Sequence, residues 1–467
     1  MKKNYTLLII IIVVLFLILF GLMYYYFSNH MKFFKGMDDF RKEMGDGKNN
    51  NNLENVDINS NIEVTDTQEI LDETLSSDEK DTSVVKVSNG GNLKISSSVI
   101  NKQGDTSNTE QSEFYGLNAV AIATQNSTLE ISNTKINTDA VGANAVFSTG
   151  EYAKVVLNNV EINTQKDSSR GLDATYSGTI IANKVTINTQ GAHCAAVATD
   201  RGEGIITVTD SILNTSGKGS PCIYSTGNIT VSNITGKALG SSITVIEGKN
   251  SVTVNDSTLV SNGYGRVENG IDSCGIMIYQ SMSGDAAEGV GTFSSSNSTL
   301  TILEDSTVYN AAPMFFSTNT DAVINLENTK LNFGSQVLLK ASGNDGEWGT
   351  SGQNGASVVL NAKNQKLSGA LVADKISKIE INLESNSHLT SKINEDGSAN
   401  YIKITLDKTS SLTLESDAYI TCIEDETDDF SNIISNGYNI YYDANKCSSL
   451  DGKTIHLVGG GILTPNK

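Results

Sequence analysis

The chain is short of proline, cysteine, tryptophan, histidine and basic residues. Among its 467 residues are 3 Pro, 5 Cys, 1 Trp and 4 His. The 3 Pro and 41 Gly follow no period, which excludes collagen-like and proline-rich chains. Five cysteines in so long a chain are too few for a disulfide-stapled scaffold. Lys and Arg number 33 against 53 Asp and Glu, a formal net charge of −20. So acidic a chain is a poor partner for the phosphates of DNA or RNA, and no nucleic-acid partner is expected. The spaced ligand sets are missing too. There is no Cys-x-x-Cys, no His pair four apart, no EF-hand loop, no phosphate loop and no dinucleotide fingerprint. No cofactor or dedicated metal cage is therefore expected; acidic bends would bind Ca2+ only weakly.

What the chain does have begins with an uncharged apolar run over residues 7–27. It is long enough to cross a hydrocarbon core of roughly 30 Å. Tyr24, Tyr25 and Tyr26 stand where an aromatic belt would mark the far interface. No small-x-small cleavage site follows. Residues 1–27 are thus expected to be an uncleaved signal anchor, a single membrane span holding the body outside the cell. Residues 28–83 are expected to be a juxtamembrane segment and then an acidic, disordered stalk. Phe33 and Phe34 would either sit in the headgroups or continue the span.

The strongest signal is a repeat. The segments TLEISNTKINT (128–138), KVVLNNVEINT (154–164), TIIANKVTINT (179–189), IITVTDSILNT (205–215), NITVSNITGKA (228–238), SVTVNDSTLVS (251–261), TLTILEDSTVY (299–309) and VINLENTKLNF (323–333) share one pattern. Each begins apolar–x–apolar, with Asn or Asp soon after in most copies. The first apolar positions are Leu129, Val155, Ile180, Ile206, Ile229, Val252, Leu300 and Ile324. They recur about every 24 residues, a solenoid period. One gap is twice as long, so one coil is expected to lie hidden between Val252 and Leu300. Alternation over four or five positions marks strands, and no helical period is visible over residues 84–467. Three short strands per repeat fit one coil of a parallel β-helix, with inward residues stacked about 4.8 Å apart. Asn133, Asn159, Asp210, Asn233, Asp256, Asp305 and Asn328 are expected to form a column at a bend.

The segments SRGLDATYSG (169–178), TQGAHCAAVATDRGEG (189–204), GSPCIYSTGNITVSN (219–233) and WGTSGQNG (348–355) carry a resemblance. The coil pattern resembles the right-handed parallel β-helix of the pectin-lyase-like superfamily. Residues 116–465 are similar, more specifically, to bacterial surface β-helix proteins of the adhesin-like kind. That resemblance implies fold and surface location and little chemistry. The expected fold class is all-β: a right-handed parallel β-helix over residues 84–391, preceded by one transmembrane helix. Further coils and a cap, over residues 392–467, would close it.

Glycan-cleaving enzymes of this fold need clustered acids on one face. The set resembling Asn-Thr-Asp, Asp-Asp, Gly-His-Gly and Arg-x-Lys is not present; Asn137-Thr138-Asp139 stands alone. No catalytic residue is assigned. The best local group spans three coils: Arg170 and Asp173, then His193, then Asp200, Arg201 and Glu203. It reads either as a carbohydrate-binding or acid–base patch or as solvated bend residues. Trp348 sits in a Gly-rich insertion, where its ring would either stack on a sugar or pin the loop. A second insertion carries Tyr264, Arg266, Glu268 and Asp272. Cys194, Cys222 and Cys274 read as members of an apolar column, while Cys422 and Cys447 either pair or stay free. The function expected is adhesin-like binding of glycans or another surface. The alternatives are a polysaccharide lyase or hydrolase, and an envelope scaffold without activity.

Overall fold

Apolar residues that alternate with polar ones form short strands, and the strands of successive repeats lie side by side. A computed structural model describes residues 56–265 and 272–466. Leu129 pairs with Val155, Val155 with Ile180, Ile180 with Ile206, Ile206 with Ile229 and Ile229 with Val252. All six are buried. Burying one such side chain contributes about 1.5–3 kcal/mol, and the column repeats that gain in every coil. Three long sheets result, here called A (12 strands), B (14 strands) and C (10 strands). Each takes every third strand in turn as far as Lys378–Glu384, beyond which sheet B skips only one strand before Tyr401–Leu406. The architecture is all-β, multi-sheet and built of stacked parallel strands, consistent with a β-helix solenoid. The one antiparallel pair among the described strands, Ile455–His456 with Ile462–Pro465, lies at the C-terminal end.

Bends are set by short polar residues at positive φ. Asn133, Asn159, Asp210, Asn233, Asp256 and Asn328 all take left-handed backbone, which Asn and Asp tolerate better than most residues. Their side chains also bond from coil to coil. Asn159 Nδ2 donates to Asn133 Oδ1 at 2.8 Å, and Asn233 Nδ2 to Asp210 Oδ1 at 2.6 Å.

Several expectations are corrected. No coil is hidden between Val252 and Leu300. Val252 pairs directly with Phe293, while Leu300 belongs to sheet C, opposite Leu259. The strand Val290–Ser296 places Phe293 and Ser295 inward, so its apolar signal is weak and TLTIL imitates it. Asp305 accordingly stands outside the bend column. Asn297 takes its place, accepting from Asn328 Nδ2 at 2.9 Å.

The acidic stretch expected as a disordered stalk contributes a coil from Asn59 onward. Its Ile62, Ile70 and Leu75 pair with Val85, Ile95 and Ile100, so the apolar pattern survives among the carboxylates. A short helix, α1 (Thr109–Tyr115), also interrupts the strands. Asn108 caps its start by accepting from the Gln111 N–H, and Gly116 closes it at φ +75°. It is too short to display a helical period. Cys422 and Cys447 are disulfide-bonded, whereas Cys194, Cys222 and Cys274 are free and buried.

The expected membrane span (residues 1–27) and juxtamembrane segment to residue 55, with Arg266 and Glu268, lie outside the described residues. Among the described residues no helix is long and apolar enough to cross a membrane.

Candidate functional site

One outward-facing column of the solenoid is apolar but for Asp173. Along sheet A the outward position reads Ile122, Phe147, Asp173, Ala198, Tyr224, Val245, Met277 and Phe316 in register. Exposed apolar surface of that length needs covering, and two covers lie on it. At one end α1 packs Phe114 and Tyr115 against Tyr176, the two tyrosine rings stacking at 5.5 Å. A Cβ on Gly116 would meet Ile122 and Phe147 at under 3 Å, so only glycine lets the helix end here. At the other end Trp348, from the loop over residues 343–355, packs on Met277 and Phe316, while the loop over residues 280–289 reaches Glu247 and Arg201.

Between the covers lies a cleft of about 450 Å³. Its lining includes Tyr224, Val245 and Met277 from the sheet, Glu113 from α1, and Ser281, Asp285, Glu347 and Trp348 from the two loops. Arg170, His193, Tyr264, Ser241 and Ser242 line it from the turns that lead into sheet A.

At the α1 end a buried charge cluster sits on the sheet. Arg170 Nη1 bonds Asp173 Oδ2 at 2.8 Å and also Asp200 Oδ2, and Glu113 lies 3.8 Å from Nη2. Asp173 and Asp200 are fully buried against it. Burial lowers the Arg170 value, but Asp200, Asp173 and Glu113 outweigh burial and hold it well above the ordinary arginine range. Burial pushes Asp173 up to about 7 against the pull of Arg170. Burial likewise raises Asp200 well above the carboxylate range, with Asp173 and Glu113 adding to the effect. One guanidinium cannot neutralise three carboxyl groups away from water, so the cluster retains a proton. Asp173 Oδ1, buried with no hydrogen-bond partner, disfavours a charged carboxylate in the same way.

A second group stands further along the sheet. The Glu247 carboxyl, 1% exposed, accepts from Tyr224 Oη and Tyr279 Oη at 2.9 Å each, and from Ser281 Oγ. Tyr279 in turn packs its ring 4.9 Å from that of Trp348. Trp348 is 4% exposed, in a cluster with Cys274, Met277 and Phe316. Its loop is held by Asn344, which accepts from the Gly346 and Trp348 N–H groups at 3.0 Å each. The ring therefore pins its loop and presents little face to solvent.

Of the residues singled out from the sequence, Arg170, His193, Tyr264 and Trp348 line the cleft. Asp173 and Asp200 support Arg170 from beneath. Arg201 leaves the group to bond Asp285 at 2.6 Å and to cover the Phe114 ring at 3.9 Å. Glu203 pairs instead with Lys249. Sequence reasoning missed Glu113, Tyr224, Glu247, Tyr279 and Asp285. Glu247 carried a legible signal, being an acid inside the strand Thr244–Glu247; Glu113 and Asp285 carried none. Among the described residues no group of three or more His, Cys, Asp or Glu could hold a metal ion. Compared with known proteins, the chain matches no family model, no curated protein and no solved structure.

Proposed function

We propose that this chain is a membrane-anchored, surface-displayed β-helix protein of the pectin-lyase-like, adhesin-like kind, and that it binds glycans in the cleft over sheet A. The observation that carries the reading is the cleft itself. It is a concave site on a rigid scaffold, with tyrosine rings and an apolar floor beside converging hydroxyl and carboxyl groups. Sugars present both an apolar ring face and a rim of hydroxyls, which is the chemistry such a lining matches. The apolar run over residues 7–27 supports the anchor. The Cys422–Cys447 bond supports an oxidising compartment outside the cell.

The test is a glycan array probed with the full-length chain and with its Tyr224→Ala and Ser242→Trp variants. Binding by the parent chain, lost in both variants, supports the reading. No bound glycan, or binding indifferent to both substitutions, overturns it. Release of shorter oligosaccharides from a bound polymer would turn the reading into that of a glycan-active enzyme.

A further inference from the structure

Resting on that reading, we infer that the cleft selects glycans bearing free amino groups, with Glu247 as the anchor of the ammonium. Among the described residues the cleft is lined by the carboxyl groups of Glu113, Glu247, Asp285 and Glu347 and by the guanidinium of Arg170. That guanidinium is already held by Asp173, Asp200 and Glu113. Asp285 has its own cation in Arg201.

Glu247 differs from these. Its bonded partners are three neutral hydroxyl groups, and among the described residues no Lys, Arg or His forms an ion pair with it. A carboxyl this deeply withdrawn from water gains most from a positive partner. An ammonium entering the cleft supplies that charge together with three N–H donors. Tyr224 and Tyr279 meet the carboxyl through their hydroxyl groups, which fix it in place at the cleft wall. Hydroxyl groups of Ser241, Ser242 and Ser283 line the remainder, matched to the neutral hydroxyls of a sugar. A uronate chain meets the opposite situation: its carboxylates face like charge in a confined space, which repels them.

Isothermal titration of the full-length chain with three tetrasaccharides tests the inference: β-1,4-glucosamine, its fully N-acetylated form and oligogalacturonate. Glucosamine and N-acetylglucosamine units differ only at the nitrogen, where acetylation removes the charge and adds an acetyl group; the salt dependence below separates the charge from the added bulk. The free amine is expected to bind about tenfold or more tightly than the acetylated form, and the galacturonate not at all. The Glu247→Gln chain should lose this preference and bind the two glucosamine forms with equal affinity. Glu113→Gln, on the helical wall, should reduce the preference by a smaller factor. It serves as the second variant if Glu247→Gln melts early. Added salt should weaken the glucosamine complex and leave the acetylated one unchanged. Equal affinity for the two glucosamine forms overturns the amine selectivity and leaves glycan binding standing. Failure of all three to bind, with spermidine bound instead, overturns both.

Discussion

Arg201 and Asp285 are 84 positions apart in the chain, yet their side chains meet at 2.6 Å. The same guanidinium lies 3.9 Å over the Phe114 ring of α1. One side chain thus ties the helix at one end of the cleft to the loop at the other. Replacing Arg201 with Gln should raise amide exchange in both 109–115 and 280–289 while the strands stay protected. The pair is partly solvated, so the global cost should be about 1 kcal/mol. Unchanged exchange in either segment would show that it is held without Arg201.

The Asp173 carboxyl is pushed from 3.8 up to about 7 by burial. Between those values the folded chain keeps a proton that the unfolded chain has released. Stability from this group is therefore fully present below the unfolded value and is lost as pH rises towards 7. The melting temperature should fall between pH 5 and pH 8, and by less in the Asp173→Asn chain, where position 173 no longer titrates. Equal falls in the two chains would remove Asp173 from the account. Asp200, raised in the same direction, keeps the residual slope.

Trp348 is the only tryptophan, which makes fluorescence a direct probe of its loop. Its ring is buried against Tyr279, so iodide should quench it weakly in the folded chain and strongly in denaturant. Trp348→Ala should cost about 3–5 kcal/mol through the cavity it leaves. Proteolysis within 343–355 should rise with it. Strong quenching in the native state would place the ring in solvent.

The Cys422–Cys447 bond joins two positions 25 apart in the C-terminal coils. Cross-linking a loop of that length is worth about 3 kcal/mol in the chain-entropy account. Coils of a solenoid contact only their neighbours, so the loss in a Cys422→Ser, Cys447→Ser chain should be local. Exchange should quicken over 401–465 and hardly at all near residues 128–215. Uniform loosening would contradict such local coupling.

Part of the site could be read along the chain because the repeat acts as a ruler. Arg170 and Asp200 stand in neighbouring coils, and stacking in register brings them to one guanidinium. The hidden coil failed for the same reason in reverse: Phe293 and Ser295 occupy inward positions where the pattern calls for aliphatic residues. Glu113 reached the cleft on a seven-residue helix whose only marks are a capping Asn108 and a closing Gly116. Asp285 reached it on a loop with no period at all.

The inward side of this protein follows from its amino-acid order: apolar alternation at a solenoid period, with Asn or Asp at most bends, admits little but stacked parallel strands. The outward side does not. Burial is a one-dimensional condition that every coil meets by itself, and a repeat displays it. The cleft instead depends on which distant segments come to rest on sheet A, where Glu247 meets Tyr224, Tyr279 and Ser281. Those contacts join separate coils and a loop, so only the folded chain brings them together.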